Sequence, residues 1–205
     1  MTKAVIFDFD GTIADSFEVF IEILVIALGR KPFTQEEIAD LRGSSTREIM
    51  RKLGVKKWQL PILAVKGKRA VGTKMERVEP FSGIAEIFEK LHDSGHAIYI
   101  LSSNTDKNIR DFLNKYALAK YVDKVYADIG IFGKVKWLKK LLKQQGLKSS
   151  ECIYIGDETR DIEATKKVGM KCIAVAWGYG NPETLLSYKP AGLAEKPKDL
   201  LKSIL

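Results

Sequence analysis

The sequence predicts an α/β protein, a parallel sheet with helices on both faces, interrupted after its first strand by an all-helical insert. Three observations carry this. Short apolar runs that stop at acidic or small polar residues recur along the chain. From Val78 onward these runs alternate with stretches of apolar residues at helical spacing. Between them and the first run, residues 15–77 show helical spacing and no strand pattern. The length of 205 residues suits one such domain with an insert, and 45% hydrophobic residues suffice for a core.

The first strand is the apolar run Ala4, Val5, Ile6, Phe7, which stops at Asp8, with Asp10, Gly11 and Thr12 following. A helix over 15–28 places Phe17, Phe20, Ile21, Leu24, Val25 and Leu28 on one face, and Gly29 and Pro32 close it. Thr34 with Glu37 forms a capping-box pattern for a second helix to residue 41. Ser45 with Glu48 opens a third, ended by Gly54, and a further helix is expected over 62–75. The expected division is therefore a core of residues 1–14 and 80–205 and a helical insert of 15–79. In the core, helices are expected over 84–91, 106–116, 134–145 and 159–168, with strands over 97–101, 122–126, 152–155 and 172–176. With the first, that makes a five-stranded, Rossmann-like parallel sheet. The tail from 181 to 205 carries two short helical segments.

Composition narrows the function. The net charge is +8, but the basic residues are spread along the chain. The densest patch, residues 134–143, interleaves lysines with Val135, Trp137, Leu138, Leu141 and Leu142, which reads as an amphipathic helix with a solvated face rather than a nucleic-acid surface. Two cysteines, Cys152 and Cys172, do not make a disulfide framework, and reduced, buried thiols are expected. With only two histidines a zinc site is not expected. The start shows no secretory pattern, and no apolar stretch is long enough to span a bilayer. A cytoplasmic protein without membrane or nucleic-acid partners, monomeric or weakly dimeric, is the expectation.

Strands of a parallel sheet point their carboxyl ends to one edge, so the residues after each strand converge there. These are Asp8 and Asp10; Ser102, Ser103 and Asn104; Lys134; and Asp157, Glu158 and Asp161. Clustered carboxylate oxygens suit Mg2+, a hard cation that takes a few carboxylates together with substrate oxygens. A cation, a hydroxyl and a lysine make a clamp for a phosphoryl group. A remaining carboxylate can act as nucleophile, and another two residues away as general acid and base.

These segments form four motifs in order: DFDGTIADS at residues 8–16, ILSSN at 100–104, FGK at 132–134 and IGDETRD at 155–161. On them the chain resembles the haloacid dehalogenase superfamily, in the phosphatase branch that includes phosphoglycolate phosphatases. The resemblance spans essentially the whole chain. It implies a Mg2+-dependent phosphoric monoester hydrolase acting on a small phosphorylated metabolite. Asp8 would be the nucleophile and a metal ligand. Asp10 would be the acid and base and, through its carbonyl, a metal ligand. Ser102 or Ser103 would bind phosphate, Lys134 would neutralise Asp8 and phosphate, and Gly11 and Thr12 would donate amides to it. Asp157 would complete the metal site with Glu158 or Asp161. Asn104 reads as either a helix cap or a phosphate ligand.

The insert between the first two motifs resembles the family's small helical cap (C1 type), which closes over the site and reads the leaving group. Within it, residues 42–44 are expected to face the site, with Arg42 pairing a substrate carboxylate or second phosphate; Lys66 and Arg69 are weaker candidates. Two alternatives stand beside the phosphatase: a sugar phosphomutase on the same residues, and a non-catalytic phosphate-sensing or scaffold protein.

Overall fold

The computed structural model describes residues 2–44, 46–59, 62, 63, 66, 72–130 and 133–205. Strand β1 (Ala4–Phe7) lies near the middle of a parallel sheet. On one side it pairs with β4 (Ala97–Leu101), followed by β5 (Lys124–Tyr126); on the other with β6 (Cys152–Gly156), then β7 (Lys171–Val175) and β8 (Gly192–Ala194). Among the described residues the sheet thus has six strands, one more than expected. The extra strand, Gly192–Leu193–Ala194, is too short and has too little β-branched character to show as a periodic run.

The registers Phe7↔Ile100 and Phe7↔Ile155 bring the carboxyl ends of the three central strands level. Every residue of β1 is fully buried, which is why its sequence is an unbroken apolar run rather than an alternation. Val5, Phe7, Ile98, Ile100, Ile153 and Ile155 face one layer. There they meet α4 (Ile84–Asp93), α5 (Asp106–Lys115) and α9 (Asp199–Ile204) through Phe88, Leu91, Ile109, Phe112 and Leu200. Ala4, Ile6, Tyr99, Leu101 and Tyr154 face the other, against α6 (Lys134–Gln145), α7 (Thr159–Val168) and α8 (Pro182–Ser187) through Leu138, Leu141, Ile162 and Leu185.

After β1 the chain makes a tight loop into β2 (Ala14–Asp15), which pairs antiparallel with β3 (Glu79–Pro80). This two-stranded ribbon joins the outgoing and returning chain of the helical segment. That segment holds α1 (Phe17–Leu28), α2 (Gln35–Leu41) and α3 (Thr46–Lys52), with 3-10 turns at Lys57–Gln59 and Gly72–Arg77. The expected Thr34–Glu37 capping box forms, and Gly29 closes α1 with a left-handed φ of 64°. The Ser45 cap and half of the helix expected over 62–75 lie outside the described residues, and the described end of that stretch is the 3-10 turn at Gly72–Arg77. Phe17, Ile21, Leu24, Leu41 and Ile49 form a small core of their own, which Tyr179 of the sheet domain joins. Glu22 pairs with both Lys74 and Arg77, tying α1 to the end of the segment.

Cys152 and Cys172 lie on neighbouring strands, buried and unbonded to each other. Burial pushes the Cys152 thiol up to about 11 and Cys172 further still, which leaves both as unreactive core residues. No helix among the described residues is long and apolar enough to cross a membrane.

Phe88 is fully buried, its ring 5.0 Å from that of Phe7 beneath the site. Phe88→Ala should lower unfolding free energy by about 3–5 kcal/mol in denaturant titration. A loss below about 1 kcal/mol would mean that this face of the sheet is not the packed layer described.

Candidate active site

The site forms where the strand ends meet. Asp8 continues the β1 ladder by one bond, its amide donating to the Ile155 carbonyl (2.8 Å). Its carboxylate is buried; Oδ1 accepts from the Phe9 amide (2.8 Å) and Oδ2 from Lys134 Nζ (2.7 Å). Lys134 is the first residue of α6, and side chains there lean back toward the helix start, hence toward the strand ends. Its ammonium also donates to Asp161 Oδ1 and lies 5.2 Å from the centroid of the Tyr154 ring. Burial works against the lysine's charge, and Asp161 and Asp8 overcome it, so the group holds its proton above the ordinary lysine range.

Asp157 follows β6, and Asp161 sits in the first turn of α7. Ligand oxygens of Asp8, Asp157 and Asp161 all lie within 4.8 Å of one another. Thr12 Oγ1 donates to Asp157 Oδ1 (3.0 Å) and the Tyr179 amide to Oδ2 (2.8 Å). Even so, burial together with Glu158, Asp8 and Asp161 raises the Asp157 carboxyl well above its usual range. Burial raises Asp161 to about 6, with Lys134 acting against it. Three buried carboxylates this close are under-compensated, and the missing charge is positive. The backbone is shaped to the cluster as well. A Cβ on Gly11, whose φ is +75°, would lie 2.2 Å from Asp157 Oδ2, and one on Gly178 would lie 2.2 Å from Asp157 Cβ. All-oxygen donors with this charge deficit fit a hard divalent cation such as Mg2+.

Asp10 stands apart from that cluster. Ser16 Oγ donates to its Oδ1 (2.9 Å), and Asn104 Nδ2 reaches both oxygens (3.1 and 3.0 Å). Ser16 in turn bonds the Tyr179 hydroxyl (2.9 Å). Burial raises the Asp10 carboxyl to about 6, with Ser16 opposing and Asp8 reinforcing the shift. A carboxyl poised there can give and retake a proton near neutral pH.

Several expected residues sit differently. Glu158, a candidate metal ligand, is not in the three-aspartate group. It is an extended residue next to Asp157, so the two side chains diverge. Its carboxylate accepts from the Thr46 amide (3.0 Å) and hydroxyl (2.9 Å) and forms an ion pair with Arg160 Nη2 (2.7 Å). Asn104 is not the helix cap: Thr105 caps α5 by accepting from the Asn108 amide, which frees the Asn104 amide group for Asp10. The Gly11 and Thr12 amides are spent within the loop, on the Ala14 and Phe9 carbonyls. Ser102 is buried at the strand end, its hydroxyl accepting from the Asn104 amide (3.1 Å), while Ser103 is half-buried. Arg42 pairs with Glu18 (2.9 Å), over the Phe17 ring, and is half-exposed. Lys66 is exposed; Arg69 and Phe132 lie outside the described residues. The residues that sequence reasoning missed are Tyr179 and Arg160. Tyr179 has no local motif, while Arg160 stood inside the fourth motif between two acids.

A level row of strand ends, a lysine-bridged aspartate and a buried carboxylate trio make one acidic site at the carboxyl edge of the sheet, where α/β enzymes bind their ligands. Comparison with known proteins makes this specific. The chain matches the family model for haloacid dehalogenase-like hydrolases over residues 5–175, and it belongs to that family. It is 34% identical to a phosphoglycolate phosphatase of Synechococcus elongatus over 205 residues, covering 98% of this chain and 97% of the other. A 5'-nucleotidase of Pseudomonas aeruginosa is 26% identical over 91% of this chain and 88% of its own. A solved haloacid dehalogenase-like hydrolase from Streptococcus pneumoniae shares the fold with a TM-score of 0.82 at 22% identity, covering 100% of this chain and 99% of that one.

Gly11→Ala should abolish activity and lower the thermal midpoint, because the added carbon collides with the Asp157 carboxylate on a backbone that also disfavours a side chain. Wild-type activity in that variant, measured with p-nitrophenyl phosphate, would contradict the tight loop described.

Proposed function

We propose that this chain is a Mg2+-dependent phosphatase that hydrolyses a small organic phosphate monoester through an aspartyl-phosphate on Asp8. The observation that carries the reading is the division of labour between two aspartates two residues apart. Asp8 is charge-paired with Lys134 beside the carboxylate trio, whereas Asp10 is held by neutral donors at a raised pKa.

In the first half-reaction Asp8 Oδ attacks phosphorus, the phosphorus–oxygen bond to the leaving group breaks, and Asp10 gives its proton to the departing alkoxide. In the second, a water attacks phosphorus, Asp10 takes its proton, the bond to Asp8 breaks, and inorganic phosphate leaves. Lys134 holds Asp8 in place and offsets charge on the phosphoryl oxygens. Ser102 or Ser103 orients those oxygens, and Ser16 and Asn104 keep Asp10 aimed. Asp8, Asp157 and Asp161 would hold Mg2+, with Asp10 contributing its backbone carbonyl; the bound ion supplies the positive charge that these carboxylates and the substrate lack.

Residues 15–79 act in this reading as the cap, and 1–14 with 80–205 as the catalytic core. The Thr46 bonds to Glu158 and the packing of Phe17 and Phe20 on Tyr179 support a cap seated on the site. A cap over a buried nucleophile selects small substrates. Phosphoglycolate is the first ester to test, because the 34% identical relative bears that activity in its name; nucleoside monophosphates come second.

Asp8→Asn should reduce turnover of these esters by about 1,000-fold or more. Asp10→Asn should cost about 100- to 10,000-fold in kcat while leaving Mg2+ affinity in place. Acid-quenched Asp10→Asn, incubated with p-nitrophenyl phosphate, should retain phosphate on Asp8, since a good leaving group needs no acid but dephosphorylation still needs the base. Undiminished turnover in Asp8→Asn would overturn the nucleophile assignment.

A further inference from the structure

Arg160 has no role in the reaction as derived, yet it stands in the first turn of α7 between Glu158 and Asp161. One end of its guanidinium is ion-paired: Nη2 lies 2.7 Å from Glu158 Oε1. Glu158 is itself held by two bonds from Thr46, so the guanidinium is anchored from the cap side. Its Nε–H is buried and has no acceptor among the described residues. A buried donor left without a partner is costly, and an arginine offers its donors in a planar fork suited to carboxylate or phosphate. Asp8, Asp157, Glu158 and Asp161 are buried and Asp10 half-buried at this place, where Lys134 and Arg160 are the cations among the described residues. An anionic substrate must enter that field, and Lys134 is already committed to Asp8 and Asp161.

We propose that Arg160 binds an oxyanion of the substrate through its Nε–H, with Glu158 as the residue that positions it. The inference rests on the phosphatase reading and deepens it. The shared chemistry is a substrate oxyanion: either a carboxylate on the leaving group or a phosphoryl oxygen. Arg160, rather than the half-exposed Arg42 paired to Glu18, is then the arginine that reads the substrate's charge.

The test uses the full chain carrying Arg160→Gln, Arg160→Lys or Glu158→Gln, with thermal unfolding as the check that each folds. KM and kcat are measured for phosphoglycolate and for p-nitrophenyl phosphate, which lacks a carboxylate, together with inhibition by inorganic phosphate. Arg160→Gln should raise KM about 10- to 100-fold. A rise confined to phosphoglycolate assigns the oxyanion to the leaving group's carboxylate. A rise for both esters, with weaker inhibition by inorganic phosphate, assigns it to the phosphoryl group. Arg160→Lys keeps the charge but not the fork and should recover only part of the loss, and Glu158→Gln should show the same pattern more weakly. Unchanged KM and inhibition in folded Arg160→Gln or Arg160→Lys would overturn the proposal. If the wild-type chain turned over neither ester, the phosphatase reading would fall on its own. Calorimetric binding of inorganic phosphate to wild type and Arg160→Lys would still decide whether Arg160 holds an oxyanion.

Discussion

The ion pair between Lys134 and Asp8, shared with Asp161, is the contact on which the rest of the site depends. A parallel sheet brings the ends of β1 and β6 side by side, and this sequence puts an aspartate at each. Left alone, those buried charges would repel one another and take up protons. Among the described residues Lys134 is the cation that bonds both Asp8 and the neighbouring Asp161, and it does so because α6 begins at that residue and projects its side chain backward over the strand ends. Removing a single member of such a buried set leaves the others uncompensated, which costs more than the pair itself contributes.

The lysine does not balance the set completely. Asp157 stays displaced well above its usual range, crowded by Glu158, Asp8 and Asp161 after burial itself. Its environment is otherwise well furnished, with a hydroxyl from Thr12 and an amide from Tyr179. What it lacks is positive charge rather than hydrogen bonds, and that is the physical argument for a divalent cation. Asp10 lies outside the trio because its loop turns it toward Ser16 and Asn104, although Asp8 still adds to the rise of its carboxyl. The Tyr179 hydroxyl behind Ser16 ties that arrangement to the aromatic contacts with Phe17 and Phe20, and so to the helical segment. The hydrogen bonds around Asp10 and the packing of the helical segment therefore share one tyrosine.

Most of the sheet could be read directly, because buried parallel strands are continuous apolar runs with polar stops. The helices over Lys134–Gln145 and Thr159–Val168 agree with their expected bounds, since glycines close both. Strand β8 escaped because three residues carry no period, and the β2–β3 ribbon because two-residue strands depend on a partner about 65 residues away. Within the site, spacing pointed to the acids but not to their partners. Glu158 and Asp161 were equivalent as residue types; only the extended backbone at Glu158 and the helical one at Asp161 separate them. Tyr179 and Arg160 gain their significance from neighbours distant in sequence or from an unanswered donor, neither of which a linear pattern displays.

The central claim is that the carboxylate trio of Asp8, Asp157 and Asp161 is short of positive charge and takes it from Mg2+. Thermal unfolding of the metal-free chain, followed across a Mg2+ titration, tests it without reference to any substrate. Wild type should gain several degrees at saturating Mg2+, by binding to the folded state alone. Asp157→Asn should start higher than metal-free wild type, because it removes one of the crowded charges, and should gain nothing from the ion. A wild-type midpoint that Mg2+ leaves unmoved, with Asp157→Asn no more stable than its parent, would contradict the account.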